Sequence, residues 1–190
     1  MLTAHSISTD NANIRLKVDM RRQATSHLTE LRVLDLFAGN NLIWKHFNCV
    51  KYYGVEKEKG KGKNLNADNI RIIESLDLSE FNVIDADSYG IPFNQLEKIF
   101  NNHTLKNETI IFYTLITNKM SMINKACIKT YNLATIYKKT KTLINAKAHE
   151  LFYGYLYENN VTELWRCLEK SNPKFHKEYG YFFISGRENT

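Results

Sequence analysis

Five short apolar runs, each followed by a polar or glycine-bearing break, limit what this chain can fold into. They are Arg32–Phe37, Tyr52–Val55, Ile70–Ile73, Phe81–Ile84 and Thr109–Ile116. Each has the length and the β-branched or aromatic content of a strand. Continuous apolar runs fit strands covered on both faces, which predicts an α/β fold with a largely parallel sheet. Candidate helices fill some gaps, notably Leu42–Phe47 and Asn94–Phe100. Ahead of the first run, "IRLKVDMRRQATSHL" reads as a helix, although Ile14, Leu16, Val18 and Met20 do not fall on one clean stripe. From Ser121 to about Asn159 the chain reads as helical. Asn160 is then expected to cap one more helix, with Val161, Leu164, Trp165 and Leu168 on one face. "YGYFFISG" (Tyr179–Gly186) reads as a last strand, and "SNPKF" (Ser171–Phe175) as a turn. The expectation is one domain over 1–190, with a loose tail over 1–12 and a helical, basic segment over 121–170.

With 190 residues and 43% hydrophobic content, the chain is long enough for an ordinary core. No apolar run approaches a membrane span, and the first residues carry no apolar signal region, so a cytoplasmic location is expected. Cys49, Cys127 and Cys167 lie far apart and read as reduced thiols. Six histidines show no ligand spacing, and no metal is expected.

The net charge is +6, and its distribution is uneven. Between Glu108 and Glu150 there is no acid, yet Lys119, Lys125, Lys129, Lys138, Lys139, Lys141 and Lys147 fall there. The loop "EKEKGKGKNLNADN" adds Lys57, Lys59, Lys61 and Lys63 at spacings suited to phosphates. Two readings stand: a nucleic-acid surface, or a solvated lysine-rich face.

Acids stand where strands end. Asp35 lies inside "LRVLDLFAGNN", ahead of a turn in which Gly39 permits close backbone approach and Asn41 tolerates left-handed angles. Exposed N–H groups of a following helix would favour negative charge. Glu56 follows the second run, about twenty residues after the glycine turn, placed to take both hydroxyls of a ribose; pairing with Lys57 or Lys59 is the alternative. In "FNVIDADSYGIPF", Asp85 and Asp87 alternate at a strand end, followed by Tyr89 and Pro92. Two acids there carry a desolvation cost that a ligand would offset, the alternative being a tight turn with helix-capping acids.

Taken together, "VLDLFAGNN", "YGVEKE" and "VIDADSYGIPF" resemble the class I S-adenosylmethionine (SAM)-dependent methyltransferases, over roughly residues 31–116. The resemblance implies a Rossmann-like fold, with Asp35 and the turn from Phe37 through Gly39 to Asn41 cradling the methionine part of SAM, and Glu56 on the ribose. It also implies Asp77, in "RIIESLDLSE", on the adenine amine. Asn41 replaces the second glycine usual in that turn. "IDADSYGIP" is similar to the Asp-x-Asp-Pro-aromatic-Gly-x-Pro stretch of tRNA guanine-amine dimethyltransferases, with Ser88 in place of the proline. That match implies Asp87 accepting a hydrogen bond from a base amine, Tyr89 stacking on the base and Asp85 supporting Asp87. Lys61, Lys63, Lys119 and Pro92 are the expected substrate contacts. The implied activity is methylation of a base amine in RNA or DNA. The alternatives are a non-catalytic nucleic-acid-binding protein on the same fold and a small-molecule methyltransferase.

Overall fold

The computed structural model describes residues 13–59, 65–118, 128–129, 131–172 and 175–185. Among the described residues, seven strands form one sheet: β1 Leu31–Asp35, β2 Cys49–Glu56, β3 Leu65–Asn66, β4 Val83–Ala86, β5 Ile110–Asn118, β6 Val161–Asn172 and β7 Phe175–Ile184. Their spatial order is β3-β2-β1-β4-β5-β7-β6. The first five run parallel, and β7 is antiparallel to both β5 and β6. The helices among the described residues are α1 Ile14–Thr25, α2 Asn69–Ser75, α3 Phe93–Asn101, α4 Ala134–Ala146 and α5 Ala148–Glu158.

The apolar runs are continuous because successive side chains enter different cores. Leu34, Ile84, Ile111 and Tyr113 pack with Ile73 of α2, Leu96 and Ile99 of α3 and Phe152 of α5. Their neighbours Val33, Val83, Ile110 and Phe112 point the other way, onto Met20 and Ala24 of α1 and onto Trp44. Burial on both faces is the condition that makes such runs strands rather than surface segments.

Three expected elements differ. Ile70–Ile73 belongs to α2, because the Asp68 side chain accepts from the N–H groups of Ile70 and Arg71 and starts a helix there. The strand in this part of the chain is the two-residue β3. Leu42–Phe47 forms only a 3-10 turn, Trp44–His46, since residues 36–48 must both round the glycine turn and return to β2. Val161–Leu168 is not a helix but the first part of β6. There a bulge sets Thr162 opposite Phe183 and Trp165 opposite Tyr181. One extra residue breaks the period of two and spaces the apolar residues as a helix would. Helix therefore ends at Glu158 rather than near residue 170, and Asn160 (φ 56) turns the chain into β6.

Gly180 faces Tyr113 across the β5–β7 ladder. A methyl group added there would lie 2.5 Å from the tyrosine Cζ and hydroxyl. That hydroxyl donates to Glu178, which is 1% exposed and also accepts from Tyr153 and bonds His176. Gly180→Ala is therefore expected to lower stability by about 1–3 kcal/mol through overpacking. Urea denaturation checks this, and an unchanged midpoint would contradict the packing described.

Candidate functional site

Parallel strands bring their carboxyl ends to one edge of the sheet, so residues distant in sequence become neighbours. Asp35 is in register with Gly54 of β2 and with Asp85 of β4. Beyond these ends opens a hollow of about 140 Å³. Asp35, Phe37 and Gly39 line one part of it; Asp85, Asp87, Ser88 and Tyr89 line another.

The turn after β1 adopts the expected backbone. Gly39 and Asn41 have φ of 49° and 53°, in the left-handed region. Asn41 N–H donates to the Ala38 carbonyl at 2.7 Å, and Ala38 N–H donates to Val55 on β2. The Asn41 side-chain oxygen is buried without a partner among the described residues. Phe37 N–H and the Tyr52 hydroxyl donate to the two oxygens of Asp35, each at 3.1 Å. Glu56 ends β2 and accepts from Gly39 N–H at 3.1 Å, so the second acid sits on the turn itself. The chain that follows is a 3-10 turn, so the helix N-terminus expected to favour negative charge is not formed there.

The acids after β4 are already engaged. Arg21 of α1 is 1% exposed and grips Asp85 with Nε and Nη2, both at 2.8 Å. Trp44 Nε1 donates to the same carboxylate at 2.7 Å, and Asp85 supports Asp87 through the Asp87 N–H at 3.2 Å. Lys17, one helical turn before Arg21, reaches Asp87 at 2.7 and 3.0 Å. Thr114 also donates to Asp87, and Arg21 Nη2 lies 3.4 Å away. Charge-assisted pairs of this kind are the strong ones.

Electrostatics separate the acids. Burial and the nearby Asp85 push the Asp35 carboxyl well above the usual carboxylate range, against the opposing Phe37 N–H and Arg21. Burial also presses upward on Asp87, but Lys17 and Arg21 outweigh it and hold the group below its ordinary value. Arg21 is burdened by desolvation, yet Asp85 and Asp87 raise it further above its ordinary range.

Two expected residues lie elsewhere. Asp77 caps the 3-10 turn Leu78–Glu80 by accepting from Ser79 N–H at 2.9 Å. It lines a separate hollow with Glu74, Lys98 and His103, because α2 carries the chain back to the opposite edge before β4 begins. The residues beside Glu56 at the tip of β3 are Leu65 and Asn66. Pro92 is buried at the start of α3, where its carbonyl accepts from Leu96 N–H, and it is not part of the hollow's wall. Tyr89 is at the rim, 73% exposed. Lys61, Lys63 and Lys119 lie outside the described residues.

Lys17, Arg21 and Trp44 were not foreseen. A signal existed: Lys17, Met20, Arg21, Ala24 and Thr25 recur at three- and four-residue spacing. Two cations inside the buried stripe of α1 blurred its apolar pattern and matched two acids at a strand tip.

No family model matches the chain, and no curated protein matches it by sequence. Solved structures do match in shape. EvdMO1 superposes with a TM-score of 0.57 at 10% identity, over 90% of this chain and 41% of that one. The chain thus spans about two-fifths of that protein. The crystal structure of M. jannaschii TYW2 in complex with AdoMet gives 0.53 at 13% identity, over 93% of this chain and 78% of that one. A SAM-dependent methyltransferase from Archaeoglobus fulgidus gives 0.54 at 14%, over 89% and 93%. These likenesses establish the Rossmann-like methyltransferase fold.

Two outcomes follow. Arg21→Met leaves Asp85 buried without its cation and is expected to destabilise by about 3–5 kcal/mol; chemical denaturation measures it, and a loss below about 1 kcal/mol would be inconsistent with the pair. Asp35 has a raised folded pKa, so the native state holds its proton more tightly than the unfolded chain. Its contribution is present below the unfolded pKa and is lost as pH rises through the folded one. Asp35→Asn removes that loss, so the variant gains on the wild type as pH increases from about 4 towards 8. Melting temperatures across that range check the sign.

Proposed function

We propose that the chain binds SAM at this edge and transfers its methyl group to a base amine in nucleic acid. The observation that carries the reading is the meeting of Asp35, the Gly39 turn, Glu56 and Asp87 around one sheet edge, on a fold shared with methyltransferases. The residues fit the cofactor. Asp35 and the backbone of the turn would hold the methionine part, and Glu56 the ribose, exchanging the Gly39 N–H for a ligand hydroxyl. Asn41 shapes this turn through its backbone, and its side chain is not among those lining the hollow. When bound, SAM supplies an electrophilic methyl group on a sulfonium, open to in-line displacement.

The chain's own part is position and charge. Asp87 accepts the amine N–H, localises the nitrogen lone pair and offsets the positive charge that develops there. Its oxygens are occupied by Lys17 and Thr114, so an amine takes this seat by displacing the Lys17 ammonium. Asp85, locked by Arg21, holds the Asp87 backbone in place. Tyr89 at the rim offers a ring face to a base outside its stack. Support for a nucleic-acid acceptor comes from the exposed Lys138, Lys139 and Lys141 of α4, with Lys147 at its end.

Calorimetry with S-adenosylhomocysteine (SAH) is the test. Binding is expected to weaken about tenfold or more in both Asp35→Ala and Glu56→Ala; equal affinity in both variants would remove the cofactor assignment. Radiolabelled methyl transfer to mixed tRNA and to DNA then reads the acceptor, and full-rate transfer by Asp87→Ala would exclude that residue from the role given to it.

A further inference from the structure

We propose that Ser88 reads the methyl acceptor: its buried hydroxyl donates a hydrogen bond to the ring nitrogen beside the amine that Asp87 accepts. The site then selects the pairing edge of adenine or cytosine over that of guanine. This deepens the methyltransferase reading and rests on it for the role of Asp87.

Ser88 is 7% exposed, it lines the hollow, and its Oγ has no hydrogen-bond partner among the described residues. The short loop that carries it is held on both sides. Lys17 and Thr114 donate to Asp87 just before it. The Ser88 N–H donates to the Ala86 carbonyl at 2.7 Å, and the Gly90 carbonyl accepts from Ile116 N–H at 2.8 Å. The loop is therefore fixed to β4 and β5, and the serine hydroxyl is the group in it left over. A buried hydroxyl in that state is destabilising, whereas an alanine at the same place would carry no such cost. The hydroxyl proton calls for an acceptor brought in from outside the chain.

The residue before it has the opposite hydrogen-bonding character. Asp87 is kept ionised by Lys17 and Arg21, and a carboxylate in that form only accepts. Two successive residues at the end of β4 thus offer the hollow an acceptor and then a donor. A ligand that satisfies both presents a donor beside an acceptor. The pairing edge of adenine does so, with the amine N–H next to the N1 lone pair. The pairing edge of cytosine does so with its amine next to N3. On the same edge guanine carries N1–H beside its amine, a second donor that meets the Ser88 proton unfavourably. A base taken out of its stack is read along this edge.

The experiment titrates the full chain, in the presence of SAH, with single-stranded oligouridine carrying one adenine, one cytosine or one guanine, and reads binding by fluorescence anisotropy. The adenine or the cytosine strand is expected to bind about tenfold more tightly than the guanine strand. Replacing that adenine by 1-deazaadenine, or that cytosine by 3-deazacytosine, removes the ring nitrogen and is expected to cost about tenfold. Ser88→Ala is expected to bind the base and its deaza analogue alike. Without ligand, the same variant is expected to melt at or above the wild-type temperature, since it loses a hydroxyl that had no partner. The proposal is overturned if no strand binds at concentrations on the order of 100 μM, or if the guanine strand binds as tightly as the better of the other two. It is equally overturned if the deaza replacement costs wild type and Ser88→Ala the same factor, or if ligand-free Ser88→Ala melts below the wild type. SAH binding is measured separately by calorimetry. Its absence, with Ser88-dependent discrimination between base and deaza analogue intact, removes the methyltransferase reading and leaves Ser88 as a base-reading residue.

Discussion

A buried guanidinium gripping a buried carboxylate sets the geometry of the sheet's functional edge. Arg21 and Asp85 are each 1% exposed, and neither could be kept there alone. Their pairing fixes α1 across β4 and β5. Arg21 also lies 4.9 Å from the Phe112 ring centroid, so the cation is sandwiched into the aromatic core. Because Trp44 donates to the same carboxylate, the short return from β1 to β2 is tied to this point as well. Two segments distant in sequence therefore converge on Asp85. The neighbouring Asp87 inherits its position from that convergence.

Much of the fold was legible from the apolar runs. β1, β2, β4 and β5 fall where continuous hydrophobic stretches lie; in β4 and β5 burial on two faces leaves that mark. β3 was hidden because two residues carry no periodicity. β6 was misread because its bulge at Glu163 (φ 49) spaces apolar residues as a helix does. For the site, Asp35, Gly39, Asn41, Glu56 and Asp87 sit at strand tips that can be found from sequence order. What sequence order could not give was the company they keep. Lys17 and Arg21 come from a helix before the first strand. Asp77 misled for a related reason: the helix α2 reverses the chain's direction and delivers it to the wrong edge.

The same hollow thus holds two kinds of acid. Asp35 is biased towards its neutral form, while Asp87 is kept ionised by cations from α1. Environment, not residue type, separates them. It also makes Lys17 a competitor for any donor that seeks Asp87, so recognition at this place is an exchange of one positive partner for another. That exchange keeps the carboxylate compensated throughout, and avoids the penalty of a bare buried charge.

The bulged β6 bears on how copies of this protein meet. Among the described strands, the sheet terminates in β3, only two residues long, and in β6, whose pairing with β7 shifts register twice. A long flat border would offer its unpaired amide and carbonyl groups to another chain. One border too short and another too irregular to template a neighbour leave little purchase for strand-to-strand stacking between molecules.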